Sequence, residues 1–138
     1  MKTNKTMLTL LTLALAALFA FTGLAAQAQQ EQSHYAYLHG PAIHNIRPHG
    51  LAQYTTQYDP ETGWERQFEV ESHRVNMANG TILSVQLNGQ EIGRMKLWEG
   101  EGNFNLDTQL GNSVPFIQKG DKVALVDSSG VIVVSGAF

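Results

Sequence analysis

The chain has 138 residues, no cysteine, five histidines and a formal net charge of −3 with histidines neutral. The missing thiols exclude thiolate catalysis, cysteine-rich zinc sites, iron–sulfur clusters and disulfide staples. A mildly acidic chain without a basic run carries no electrostatic footprint for nucleic acid or anionic lipid.

The first element reads as an address label. Lys2 and Lys5 precede an uncharged run from Met7 to Leu24, which closes on Ala26-Gln27-Ala28. A short basic region, an apolar stretch and a small-x-small ending predict a signal peptide over residues 1–28. The competing reading is an uncleaved anchor, because the apolar run approaches bilayer-spanning length. Cleavage leaves 110 residues from Gln29 with net charge −5, enough for one domain with a core of its own. The expected location is secreted or periplasmic, with no membrane insertion once the leader is gone. Residues 29–34 are expected as a flexible N-terminal segment and 35–138 as the folded domain.

Beyond the leader no window repeats apolar positions at three and four. Glycine and Asx-Gly punctuation recurs about every ten residues instead, which reads as an all-β sandwich or barrel, and the expectation is a compact antiparallel sandwich of eight or nine short strands. The expected strands are Tyr35–Leu38, Leu51–Tyr58, Trp64–His73, Thr81–Leu87, Glu91–Trp98, Asn103–Thr108, Val114–Ile117, Lys122–Asp127 and Val131–Phe138. Asp59-Pro60-Glu61-Thr62-Gly63, Asn88-Gly89, Gly120-Asp121 and Asp127-Ser128-Ser129-Gly130 are the turns, with Asn88-Gly89 suited to type I′.

Alternation assigns the inward faces to Ala52, Tyr54 and Thr56, Phe68 and Val70, Leu83 and Val85, Phe104 and Leu106, and Val123 and Leu125. Strict pairing across Asn88-Gly89 would set Arg94 against Leu83. One extra residue at Gly93 aligns Met95 with Leu83 instead, so a β-bulge is expected there. Val131-Ile132-Val133-Val134 is apolar on both faces and predicts a central strand. Phe138 is expected as a core residue rather than the closing aromatic of a membrane barrel, because most strands are shorter than the nine to eleven residues that spanning requires.

Two spaced runs, Leu38-x-Gly40-x-x-Ile43 and Pro48-x-Gly50-x-Ala52-x-Tyr54, resemble the opening of small secreted bacterial all-β domains. Phe68-Glu69-Val70-Glu71, Asn79-Gly80-Thr81-Ile82-Leu83, Gly102-Asn103-Phe104-Asn105-Leu106, Gly120-Asp121-Lys122-Val123 and Ser135-Gly136-Ala137-Phe138 extend the similarity over nearly the whole domain. The opening is distantly similar to chordin-type repeats. The resemblance implies a fold and supplies no catalytic residues, since its elements are turn and core positions.

Candidate chemistry is sparse. His34, His39, His44 and His49 recur at steps of five. Imidazoles bind zinc and copper well. A step of five, however, inverts the face on a strand and turns about 140° on a helix, so regular structure scatters these rings. Only a looped path through Gly40, Pro41, Pro48 and Gly50 would converge them. The expectation is surface histidines and no cofactor. A periplasmic copper or zinc site built from these four is the alternative.

Glu65, Gln67, Glu69 and Glu71 alternate on one strand that ends in His73, which reads as a solvated outer face. No Gly-x-Ser-x-Gly elbow occurs, and Gly100-Glu101-Gly102 lacks the strand-to-helix setting of a phosphate loop. Tyr35, Tyr37, Tyr58, Trp64 and Trp98 are the aromatics that would stack on a carbohydrate if exposed. Tyr35 and Tyr37 are expected to close the end of the core, with Ile92 and Trp98 also packed. The expected function is a non-enzymatic binding or structural module whose partner is a protein or glycan at the cell envelope.

Overall fold

The computed structural model describes residues 31–138, and the expected leader lies outside the described residues. Eight strands follow in chain order: β1 (Gln32–His39), β2 (His49–Asp59), β3 (Gly63–His73), β4 (Ile82–Leu87), β5 (Gln90–Lys96), β6 (Gly102–Asp107), β7 (Lys122–Val126) and β8 (Ile132–Ala137). Every ladder is antiparallel, and the spatial order is β5-β4-β7-β8-β1-β2-β3-β6. Among the described residues a 3-10 turn, Thr108–Leu110, is the one other regular element. The all-β antiparallel class is as the glycine and Asx-Gly punctuation predicts.

The strands form one sheet that curls until its edge strands meet, where a sandwich of separate sheets was expected. Trp98 and Glu101 pair across the β5–β6 connection, and the Phe104 ring of β6 lies against the backbone of Gly93 in β5. A Cβ at Gly93 would stand 2.2 Å from that ring, so only glycine lets the edges come this close. Two bulges bend the sheet. On β5, Val85 pairs with Gly93 and Gln86 with Glu91, leaving Ile92 as the extra residue. Leu83 therefore meets Met95, the alignment that the apolar pattern demanded, with the inserted residue one place earlier than Gly93. On β8, Val126 pairs with Ile132 and Leu125 with Val134, so Val133 is extra.

The second bulge explains a mixed result. β8 is central, between β7 and β1, as expected. Yet Val131 and Ile132 are exposed, while the neighbouring Val133 and Val134 are both buried because the bulge breaks the alternation between them. β8 meets β1 through one ladder pair, His39 with Ser135, and the backbones cross closely on either side of it. A Cβ at Gly40 would sit 1.8 Å from the Val133 carbonyl oxygen, and one at Gly136 2.2 Å from that of Tyr37.

The core is a single cluster inside the curl. Ala36, Leu38, Ala52, Tyr54, Phe68, Val70, Leu83, Val85, Val123 and Leu125 are buried in it, and Phe104, Leu106 and Phe138 are packed against it. Burial of each large side chain is worth roughly 1.5–3 kcal/mol against the ordering entropy of the chain. Thr56, expected inward, is half-buried at the rim.

Two expectations fail locally. Gln32, Ser33 and His34, assigned to a flexible segment, are the first residues of β1 and pair with Thr56, Thr55 and Tyr54. The polar composition there reflects a strand end beyond the core, not disorder. Val114–Ile117 is not a strand, since Pro115 lacks the N–H a ladder needs. The segment instead crosses one end of the core irregularly, burying Val114 and Ile117 and leaving Phe116 exposed over the Arg66 guanidinium, 4.1 Å from its ring centre.

The turns match their sequence signals. Asn88 and Gly89 both take positive φ, 50° and 82°, as a type I′ turn requires. The Asp59 carboxylate accepts the backbone N–H groups of Glu61 and Thr62, which hold its pKa below the usual carboxylate value. The backbone N–H of Gln118, then the side chain of Asn88, do the same for Asp121.

Candidate functional site

The polar face of β1, β2, β3 and β6 lies outside the core. Register arranges it in cross-strand rows. His39 stands opposite His49, and His49 opposite His73. The next row runs Tyr37, Leu51, Glu71, Asn103, and the one after it Tyr35, Gln53, Glu69, Asn105. Asn103 Nδ2 donates to Glu69 Oε1 at 3.0 Å, and Gln53 Nε2 donates to the Tyr35 hydroxyl at 3.4 Å.

The aromatic expectation is overturned here. Tyr35 is 49% and Tyr37 70% exposed, because Ala36 and Leu38 supply the inward parity of β1. Trp98 is 64% exposed, while Ile92 does pack on the core as expected. Trp64 is also exposed and meets Tyr58 edge-on at 5.4 Å, at the far tip of the β2–β3 hairpin.

Trp98 stands on a braced turn. Glu99 and Gly100 both take positive φ, and Trp98 and Glu101 exchange backbone hydrogen bonds of 2.9 Å. Asn79 Oδ1 accepts the Glu99 N–H, and the Gly100 carbonyl accepts the Val75 N–H just past β3. The turn thereby holds the Trp98 backbone beside the end of β3, where Trp98 lines an open cleft of about 400 Å³ with Glu71, His73, Lys96, Glu101 and Asn103. Within it the His73 ring is bracketed by carboxylates, Glu101 Oε1 at 3.5 Å from Nδ1 and Glu71 Oε2 at 3.7 Å from Nε2.

The four-histidine run is divided. His34 lies on the core-facing parity of β1, beyond the core, with its ring stacked toward Tyr54 at 6.4 Å. His44 sits in the tight Ile43–Ile46 turn with φ 47°. His39 and His49 are brought opposite each other on the outer face, and the fifth histidine, His73, joins them with its ring centre 5.6 Å from that of His49. In the side-chain conformations present, no three His, Asp or Glu residues among the described residues stand together closely enough to hold a metal ion.

His73 entered the sequence analysis only as the end of a charged strand. The signal that places it was nonetheless present in the Asp59–Gly63 turn. Counting ten residues back from Asp59 and ten forward from Gly63 reaches His49 and His73. Trp98 carried no such signal, because its exposure follows from where the β5–β6 edges meet.

No family model matches this chain, and no curated protein or solved structure matches it at a significant level.

Proposed function

We propose that the domain is a non-enzymatic binding module of the periplasm or cell exterior, and that its ligand is a glycan of the envelope. The observation that carries this reading is the exposed indole of Trp98 over a cleft lined by carboxylate, amide and ammonium groups. An aromatic face takes the apolar face of a sugar ring, and flanking Glu, Asn and Lys side chains exchange hydrogen bonds with its hydroxyls. Tyr37 and Tyr35 extend the platform along the same outer face, next to the Gln53–Glu69–Asn105 row. The leader read over residues 1–28 and the resemblance to small secreted bacterial domains agree with an envelope location.

The test is native affinity electrophoresis of the purified protein through gels containing soluble envelope and plant polysaccharides, with Trp98→Ala as control. Retardation by at least one polysaccharide, lost in Trp98→Ala and without release of reducing ends, supports the reading. Unretarded migration through every gel, or retention that Trp98→Ala leaves intact, refutes it.

A further inference from the structure

We infer that the outer-face row His39, His49 and His73, together with Glu71, binds a transition-metal ion of the imidazole-preferring class, zinc or copper. This goes beyond the glycan reading and replaces the set His34, His39, His44 and His49 that spacing alone offers. Neighbouring strands lie about 4.8 Å apart, so His39 and His73 flank His49 at one ladder step on each side. All three rings leave the same face of the sheet.

The central pair is already near a shared-metal separation. Two imidazoles at 2.0–2.1 Å from one tetrahedral zinc have ring centres about 5 Å apart. His49 and His73 stand at 5.6 Å. Glu71, two residues before His73 on the same face, brings Oε2 to 3.7 Å from His73 Nε2 and supplies an oxygen donor. Three imidazoles and one carboxylate make a donor set that suits zinc and copper.

The surroundings have the form of a supporting shell. Glu101 Oε1 lies 3.5 Å from Nδ1 of His73, where a carboxylate orients a ligating imidazole and leaves Nε2 for the metal. The backbone beneath is rigid, since β2 and β3 pair continuously from His49–His73 to Asp59–Gly63. What remains is rotation of the His39 ring and the Glu71 carboxylate toward His49, and both side chains are exposed and free of core packing.

The test is calorimetric titration of the purified protein with ZnCl₂ and CuCl₂, with imidazole resonances followed by NMR. One ion should bind per chain and shift the His39, His49 and His73 signals together. His49→Ala should weaken binding by about 100-fold, His39→Ala and His73→Ala by about tenfold or more, and Glu101→Gln by about tenfold. His34→Ala and His44→Ala should bind as the parent does. Metal-free thermal midpoints of the variants separate lost binding from lost folding, and His49→Gln, which keeps side-chain bulk, repeats the central test. Absence of stoichiometric binding overturns the inference. So does a loss spread equally over all five histidines, which marks adventitious chelation.

Discussion

His49 of β2 and His73 of β3 face each other directly across the longest ladder of the sheet, their ring centres 5.6 Å apart. An exposed cross-strand pair contributes roughly 0.2–1 kcal/mol to stability. A double-mutant cycle with His49→Ala, His73→Ala and the double variant in urea, without metal, is expected to give a coupling inside that range. A coupling above about 2 kcal/mol would make the pair a structural clasp rather than a surface available for ligands.

The outer-face aromatics should matter for binding and not for folding. Tyr37→Ala and Trp98→Ala are expected to shift the unfolding free energy by no more than about 0.5 kcal/mol, because neither ring is part of the core. Phe68→Ala, fully buried among Phe104 and Phe138, should cost about 3–5 kcal/mol. Urea melts of the three variants check this, and a large loss in Trp98→Ala would contradict the exposed position.

Glycine positions separate into two kinds. Gly136→Ala drives a Cβ to 2.2 Å from the Tyr37 carbonyl oxygen, against backbone that has no slack, and should destabilise by about 3 kcal/mol or more. Gly63→Ala meets open space and suffers only from its φ of +87°, a strain of about 1–2 kcal/mol. Thermal melts that rank the two in reverse order would contradict the close crossing of β1 and β8.

Acid should weaken the fold through its turn carboxylates. Asp121, hydrogen-bonded to the Gln118 N–H and the Asn88 side chain, has its pKa lowered in the folded state. The folded chain then binds fewer protons than the unfolded one. Its contribution is therefore present above the unfolded aspartate value near 3.9 and lost as pH falls through the lower folded value. The expectation is a stability that declines as pH falls below about 4, with a smaller decline in Asp121→Asn. Identical pH profiles for variant and parent would remove Asp121 from the account.

The Tyr54 hydroxyl is buried beside the Ile117 backbone without meeting hydrogen-bond geometry, and burial, the largest influence, raises its pKa. Removing an unsatisfied buried hydroxyl is neutral or favourable. Tyr54→Phe should be as stable as the parent or more so, by up to about 1 kcal/mol. A loss greater than 1 kcal/mol in chemical denaturation would mean that the oxygen has a partner, a water included.

Much of the fold was legible because its signals are local. Glycine and Asx-Gly punctuation located the eight strands, Asn88-Gly89 and Asp59–Gly63 located the turns, and the apolar pattern demanded the register shift that sets Leu83 against Met95. Val114–Ile117 misled because its apolar residues are buried without being paired, and burial alone does not distinguish a strand from a strip that crosses the core. The site was less legible. Tyr35 and Tyr37 alternate with Ala36 and Leu38, and both sets are apolar enough to face inward.

The sequence by itself determined the all-β class, the turn chemistry and the scattering of a histidine run whose step of five inverts the face of a strand. These follow from backbone sterics and a side-chain period of two, which act within a few residues. Only the tertiary structure decided which parity of β1 meets the core, that a single sheet curls to bring Gly93 under Phe104, and that Trp98 stands beside β3. It also assembled His39, His49 and His73 into one row. Those outcomes depend on contacts between residues distant in the chain, which are chosen by the packing of the whole core and not by any segment alone.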